Sequence, residues 1–342
     1  MQAAVTYQPG HLEIRELPAP EPGPGEVLLA PQVVGICGSD VHLFLGDHPY
    51  SRFPAVQGHE FAATVTGLGA GGDTRGLAVG DLVAVEPLLP CHTCLACRRG
   101  HPNCCRELAV IGAHTDGALA GQLVVPADNC YPAGDLAAEL AALAEPTSIG
   151  LQAVDRGGVQ AGDQVVVLGA GAIGQTAALA AADRGARVMA VDLLPNRLAI
   201  AAALGAEQTV SSAETDLGEA VRSWAGLDGP AVIIDATGLP ALIQRAVELV
   251  ANSGTVVIVG ISVRDVSLPV ADFTRKEINI HGSRNNAGLF AEAVDLVSRH
   301  REQASRMISH RFALEQTQQA LRLAADHPDE AAKVLVRIGD AA

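Results

Sequence analysis

Apolar positions follow two different patterns along the chain, and the change between them falls near residue 140. Before it, short apolar runs alternate with polar positions and are separated by Gly- and Pro-marked turns. VLLAPQVVGI (27–36), FAATVTGLGA (61–70) and DLVAVEPLL (81–89) read as β-strands, and GQLVVPADNCY (121–131) as the last strand of this part. An irregular, mostly β domain is predicted. After it, AAELAALAEPTSIGLQAVDRG (137–157) carries helical periodicity. VVVLG (165–169), RVMAVD (187–192), AVIIDATG (231–238) and TVVIVG (255–260) are continuously apolar and separated by Ala-rich helical stretches. Strands of that kind are buried on both faces, so this segment predicts a doubly wound α/β domain with a parallel sheet. INIHGS (278–283) supplies its last strand, and the tail returns to helical and strand segments ending in KVLVRIG (333–339). No internal repeat or low-complexity tract interrupts this order.

Composition narrows the function. The 342 residues exceed one ordinary core, so two domains are expected. A formal net charge of -15 without a basic block argues against nucleic acid as a partner. No run approaches the roughly 20 apolar residues that span a bilayer, and MQAAVTYQPG has no signal-peptide pattern. A cytoplasmic protein without a membrane partner is the expectation, and there clustered cysteines read as metal ligands rather than disulfides.

The chemistry is concentrated in three places. GAGAIG follows the strand VVVL and opens an Ala-rich helix, the context a dinucleotide turn requires. Gly169, Gly171 and Gly174, with Ala172 and Ile173 between them, allow a tight turn and close approach of a pyrophosphate to a helix N-terminus. Asp192, at the end of the next strand, would accept hydrogen bonds from a ribose hydroxyl and repel a 2′-phosphate, which favours NAD over NADP. Arg197, five residues later, is a candidate phosphate contact or a solvated helix residue.

CHTCLACRRGHPNCC (91–105) holds five of the seven cysteines. Cys91, Cys94 and Cys97 with either Cys104 or Cys105 make a four-thiolate set, and such a closed zinc site holds a loop rather than catalysing. An iron–sulfur motif would continue with a nearby Cys-Pro, which is missing. Adjacent side chains in an extended chain point apart, so Cys104 and Cys105 should not both reach one metal; spacing alone does not choose between them. The third place is dispersed. GICGSDVH (35–42) carries Cys37, Ser39, Asp40 and His42, and QGHE (57–60) carries His59 and Glu60. Cys, His and a carboxylate with one open position is the donor set of a catalytic zinc. Asp40 would orient the His59 imidazole, although Ser39 and Asp40 also suit capping of a helix beginning near Gly38.

Taken together, GICGSDVH, GHE, the cysteine lobe with Gly100 and Asn103, EPTSIG (145–150) and GAGAIG with Asp192 resemble the zinc-dependent medium-chain dehydrogenase/reductase family over nearly the whole chain. The resemblance implies a GroES-like, mostly β catalytic domain over 1–140, with 284–342 returning to it, and a Rossmann NAD-binding domain over 141–283. It implies Cys37 and His59 as ligands of a catalytic zinc, and Ser39 and His42 as the ends of a proton relay through cofactor ribose. Its pattern, with Asn103 two places before the last ligand, selects Cys105 for a structural zinc and leaves Cys104 spare. That makes two zinc ions per chain, with NAD as the second cofactor. The alcohol-dehydrogenase branch has a further cysteine near the start of the Rossmann domain, where this chain has Glu145-Pro146. This departure is similar to the sorbitol and threonine dehydrogenase branch, in which Glu145, or alternatively Glu60, completes the zinc shell.

VIGAHTDGALAGQLVVPADN (110–129) further resembles L-idonate and L-galactonate 5-dehydrogenases, and GSRNNA (282–287) places Arg284 where polyol enzymes have a substrate- or cofactor-contacting arginine. His114 is a second candidate substrate contact. The implied reaction is hydride transfer from a secondary alcohol of a polyol or sugar acid to NAD+, giving the ketone. A threonine 3-dehydrogenase-like or simple secondary-alcohol dehydrogenase is the alternative, and a non-catalytic NAD-binding protein the remote one. Substrate choice is expected in the loops 43–53, 110–119 and 284–290, and a homodimer or homotetramer is the implied assembly.

Overall fold

The computed structural model describes residues 1–48 and 51–339, so Pro49 and Tyr50 of the 43–53 loop lie outside the described residues, as does the end of the returning segment 284–342. Two compact units form: Met1–Glu145 together with Phe290–Ala342, and Pro146–Leu289. The boundaries fall at Glu145/Pro146 and Leu289/Phe290 rather than at 140/141 and 283/284. The helix Ala144–Gly157 contributes its first residues to one unit and the rest to the other, and the loop after strand Asn279–Gly282 stays with the unit that holds that strand. Among the described residues no helix is long and apolar enough to cross a membrane.

The first unit is built on a mostly antiparallel sheet. Its order is Cys130–Pro132, Leu82–Val85, Glu60–Leu68, Glu26–Ile36, Lys333–Arg337 and Ile308–Ala313, with Leu123–Pro126 also paired to Glu26–Ile36. Glu26–Ile36 is thus flanked by a strand from near the N-terminus and one from the C-terminus, with Gly35 opposite Glu60 on one side and Leu335 on the other. Phe44, Phe61, Val65 and Val83 fill the core on one face of this sheet. Two expected strands prove to be broken. DLVAVEPLL forms Leu82–Val85 and Leu88–Leu89, because Pro87 has no N–H to donate and the Glu86 N–H is taken by the Asn129 carbonyl. GQLVVPADNCY forms Leu123–Pro126 and Cys130–Pro132 around a 3₁₀ turn.

The second unit carries a six-stranded sheet in which every pairing is parallel. From one edge its strands are Gln208–Ser211, Arg187–Asp192, Gln164–Leu168, Val232–Asp235, Thr255–Ile258 and Asn279–Gly282. That is the 3-2-1-4-5-6 order of a dinucleotide-binding sheet, whose switch point lies at the carboxyl ends of the first and fourth strands. Val165, Val166 and Val167 are fully buried, as double-sided coverage requires. The helix Ala172–Asp183 buries Ala177, Ala178, Ala180 and Ala181, small side chains that let it lie close to the sheet.

Candidate active site

Cys37 ends the strand Glu26–Ile36 and is the N-cap of the helix Gly38–Leu45. Its backbone N–H donates to Asp40 Oδ2 at 2.9 Å, while Asp40 Oδ1 lies 3.3 Å from His59 Nδ1. The two expectations for Asp40 therefore coexist: one carboxylate oxygen caps the helix and the other faces the imidazole. With Nδ1 turned to Asp40, His59 presents Nε2 on its other side, 3.4 Å from Ser39 Oγ. Burial opposes charging of His59, but the Asp40 carboxylate and the Cys37 sulfur outweigh it and raise its pKa well above the ordinary value.

Cys37, His59 and Glu60 offer ligand atoms that all lie within 4.8 Å of one another. Tetrahedral ligands at about 2.0–2.3 Å from a zinc stand roughly 3.5 Å apart, so small side-chain movements close this set around a cation. The donor chemistry fits zinc. The geometry thus groups the alternative carboxylate, Glu60, with Cys37 and His59, and leaves Glu145 outside that group. Glu145 is buried near the start of its helix. Burial pushes its carboxyl up to about 8; His59 and Lys333 oppose that rise, while Glu60 and Asp40 add to it.

The strongest interaction at the site was not anticipated from the sequence. Lys333 Nζ donates to both oxygens of Glu60, at 2.6 and 2.9 Å, and to the Ile36 carbonyl at 3.3 Å. Lysine and glutamate are only 2% and 1% exposed. Burial disfavours the ammonium, but the Glu60 carboxylate, with the Cys37 sulfur, more than offsets it and raises the Lys333 pKa. Gly35 makes room for the pair: a Cβ there would lie 2.4 Å from Glu60 Oε2. No local pattern betrays Lys333, which precedes the apolar run 334–336 of the strand Lys333–Arg337; only the pairing of Val334 with Ile36 brings it level with Cys37.

The other predicted residues are not part of this group. His42, on the exposed face of its helix, hydrogen-bonds Asp47 at 3.0 Å. Half-buried His114 sits in the turn after Ala109–Val110, with its backbone N–H on the Val110 carbonyl. His48, not singled out by its sequence context, lies between them electrostatically: burial and then the charges of His42 and His114 lower its pKa. Arg284 is exposed and belongs to the second unit.

In the cysteine lobe, Cys91, Cys94, Cys97 and Cys105 place their sulfurs within 4.8 Å of one another, whereas Cys104 is exposed. A 3₁₀ turn over Pro102–Cys104 separates the two adjacent side chains, and Cys105 is turned into the core of the lobe with Leu88 and Leu108. Backbone N–H groups of Cys91 and Glu107 donate to Cys105 Sγ at 3.2 and 3.3 Å, as they would to a thiolate ligand. Hydrogen bonds from Thr93 bring the Cys91 thiol down to about 6, while burial and the thiols of Cys94 and Cys105 push Cys97 up to about 12. This cysteine cluster fits a structural zinc.

In the second unit the three glycines of GAGAIG meet three different demands. Gly169 has φ +89°, a Cβ on Gly174 would stand within bonding distance of the Gly169 carbonyl, and a Cβ on Gly171 would meet open space bounded by Arg197. That open space at the N-terminus of the helix Ala172–Asp183 is where a pyrophosphate fits. Asp192 Oδ2 accepts from the Ala170 N–H at 2.7 Å and Oδ1 from the Leu194 N–H at 2.9 Å. A carboxylate has about four acceptor positions, so capacity for a ribose hydroxyl remains. Arg197 is not simply solvated; its guanidinium stands 3.8 Å from Asp192 Oδ2.

Residues 23–135 match the alcohol dehydrogenase GroES-like domain, and residues 172–299 the zinc-binding dehydrogenase domain. The chain is 36% identical to L-galactonate-5-dehydrogenase of Escherichia coli K12 (91% of this chain, 92% of that protein). It is 32% identical to sorbitol dehydrogenase of Bacillus subtilis (98% and 97%). Among solved structures, the RspB alcohol dehydrogenase of E. coli CFT073 complexed with NADH superposes with a TM-score of 0.92 at 32% identity (98% and 99%). A zinc-binding dehydrogenase of Sinorhizobium meliloti 1021 bound to NADP gives 0.90 at 31% (98% of each). With its Cys–His–carboxylate set, its four-cysteine lobe and its parallel dinucleotide sheet, the chain belongs to the zinc-type alcohol dehydrogenase family and is an oxidoreductase.

Proposed function

We propose that this chain oxidises a secondary hydroxyl of a polyol or sugar acid to the ketone, with NAD+ as acceptor. The observation that carries the reading is the convergence of half-buried Cys37 with buried His59 and Glu60, with Ser39 Oγ against the same imidazole. When bound there, zinc supplies Lewis acidity that lowers a hydroxyl pKa, and the nicotinamide supplies the hydride acceptor. The protein's part is to hold and to move protons. Cys37 and His59 would hold the cation together with a carboxylate, Glu60 or Glu145. Asp40 fixes His59 in the tautomer that offers Nε2. Ser39 Oγ takes the substrate proton, and exposed His42, steadied by Asp47, releases it to water.

Asp192 carries the cofactor preference. Its carboxylate accepts a ribose hydroxyl and repels a 2′-phosphate, while Arg197 at 3.8 Å weakens that repulsion. We read a strong but incomplete preference for NAD. The similarity to L-galactonate-5-dehydrogenase and sorbitol dehydrogenase supports the substrate class. All seven cysteines are unpaired, which suits work in the reducing cytoplasm, and a homodimer or homotetramer is the assembly that light scattering should find.

The test is NADH formation across sugar acids, polyols, threonine and simple secondary alcohols. Highest kcat/KM on a sugar acid or polyol is expected; turnover confined to threonine or simple alcohols would refute the substrate class. Asp192→Ala should lower the NAD/NADP preference by about ten-fold, the loss of one charged hydrogen bond and its repulsion. An unchanged ratio would remove its role.

A further inference from the structure

A fully buried lysine in a strand whose next three residues are Val334, Leu335 and Val336 is costly unless it is paired. Among the described residues, the Lys333 ammonium is paired through the Cys37–His59–Glu60 group: two contacts go to Glu60 and the third to the carbonyl of Ile36, the residue before Cys37. Glu60 in turn belongs to the group that offers donors to a cation, and Gly35 is kept free of a side chain where the pair crosses it. The same carboxylate therefore faces a fixed ammonium and a metal position.

The charge count shows what this does. A dication with the Cys37 thiolate and one carboxylate is neutral, and with His59 three protein ligands leave one tetrahedral position open. The site holds two buried glutamates, Glu60 and Glu145. Were both free to bind, the second would fill the open position and leave the centre with net negative charge. The Lys333 ammonium neutralises one of them.

We propose that Lys333 is a positioning residue that competes with the catalytic cation for the Glu60 carboxylate, and thereby keeps one coordination position open for the substrate. The proposal rests on the reading of Cys37 and His59 as zinc ligands. It predicts that losing the ammonium tightens the hold on zinc while lowering turnover, the opposite of what a merely structural ion pair would do.

The experiment follows zinc release from the intact holoenzyme into excess dipicolinate, with zinc counted per chain before and after, and records the visible spectrum of the cobalt(II)-exchanged protein. Lys333→Met should release the catalytic zinc at least about ten-fold more slowly, the size of effect typical of groups behind metal ligands. Its cobalt spectrum should respond less to added substrate, and kcat should fall. Lys333→Arg should stay close to the parent. Release from Lys333→Met that is unchanged or faster would overturn the proposal. If that variant does not fold, the pair Glu60→Gln and Glu60→Gln/Lys333→Met decides: with Glu60 neutral, removing Lys333 should change release by less than about two-fold, and a larger change would show that Lys333 acts otherwise. Cys37→Ala separates the two levels. If it keeps all its zinc the ligand reading itself fails, whereas zinc loss there with unchanged release from Lys333→Met defeats only the role of Lys333.

Discussion

Replacing Gly35 with alanine tests whether the Glu60–Lys333 pair is as tightly seated as the geometry says. The new Cβ would lie 2.4 Å from Glu60 Oε2, 3.2 Å from Glu60 Cβ and 3.4 Å from Lys333 Cδ. A carbon–oxygen contact normally needs about 3.3 Å, so the carboxylate must retreat by roughly 1 Å. Glu60 has little room to do so, because Lys333 grips both its oxygens and the residue is 1% exposed. The cost should lie between that of overpacking a core, about 1–3 kcal/mol, and that of stranding a buried charge, about 3–5 kcal/mol. The better strand propensity of alanine returns less than about 1 kcal/mol. A net loss of about 2 kcal/mol is expected, or roughly 30-fold faster exchange where amides exchange through opening of the unit. Hydrogen exchange on peptides covering Glu26–Ile36 measures it without assuming that the two units unfold together. In a Glu60→Ala background the obstructing carboxylate is gone, and Gly35→Ala should cost at least about 1 kcal/mol less. Exchange within about three-fold of the parent, or an equal loss in both backgrounds, would refute the reasoning.

Two further outcomes follow from the same kind of accounting. Cys105→Ser should lose one zinc per chain and leave the 91–105 lobe protease-sensitive, while Cys104→Ser should keep full metal content, because only Cys105 turns inward; equal zinc loss from both would reverse the assignment. Glu139 binds Arg311 and Arg337, joining the helix Ala138–Ala141 to the last two strands of its sheet, and the Arg311 hydrogen bond, opposed by burial and helped by Arg337, holds its carboxyl below the ordinary range. A lowered folded-state pKa contributes stability that is complete above the unfolded value of about 4.3 and fades as pH falls through the folded value. Glu139→Gln should therefore cost about 1 kcal/mol at neutral pH, with the gap closing as urea midpoints are taken from about pH 5 toward pH 3; a pH-independent gap would contradict the pairing.

How much of this was legible in the sequence depends on how local the signal is. The strands of the parallel sheet are buried on both faces and so read as unbroken apolar runs; Arg187–Asp192 begins and ends where its pattern does. Gln208–Ser211, at the sheet edge, has only Val210 buried and gives no such run. The strand His11–Glu16 escaped for a related reason, since hairpin residues such as Glu13 and Arg15 dilute its pattern, while its partner Gln2–Gln8 offers only the short buried run 3–6. The nucleotide turn and the cysteine lobe are contiguous, so spacing alone carried most of their chemistry. Choosing Cys105 over Cys104 needed either a family pattern or the 3₁₀ turn that sends them apart.

The catalytic centre is the opposite case, because its members come from four separate stretches of chain and only the sheet assembles them. Cys37, Ser39 and Asp40 could be nominated together, since a strand end leading into a helix presents all three at once. Lys333 could not. It is 273 positions from Glu60 in the chain, and nothing around it marks chemistry. What makes it visible is register: Val334 opposite Ile36 and Glu60 opposite Gly35 place a cation and an anion on either side of a residue with no side chain. No motif decides between Glu60 and Glu145, because both carboxylates are buried and only the fold shows that Lys333 holds Glu60. Zinc release from Lys333→Met tests the proposed competition for Glu60, at a residue that opens the C-terminal strand Lys333–Arg337.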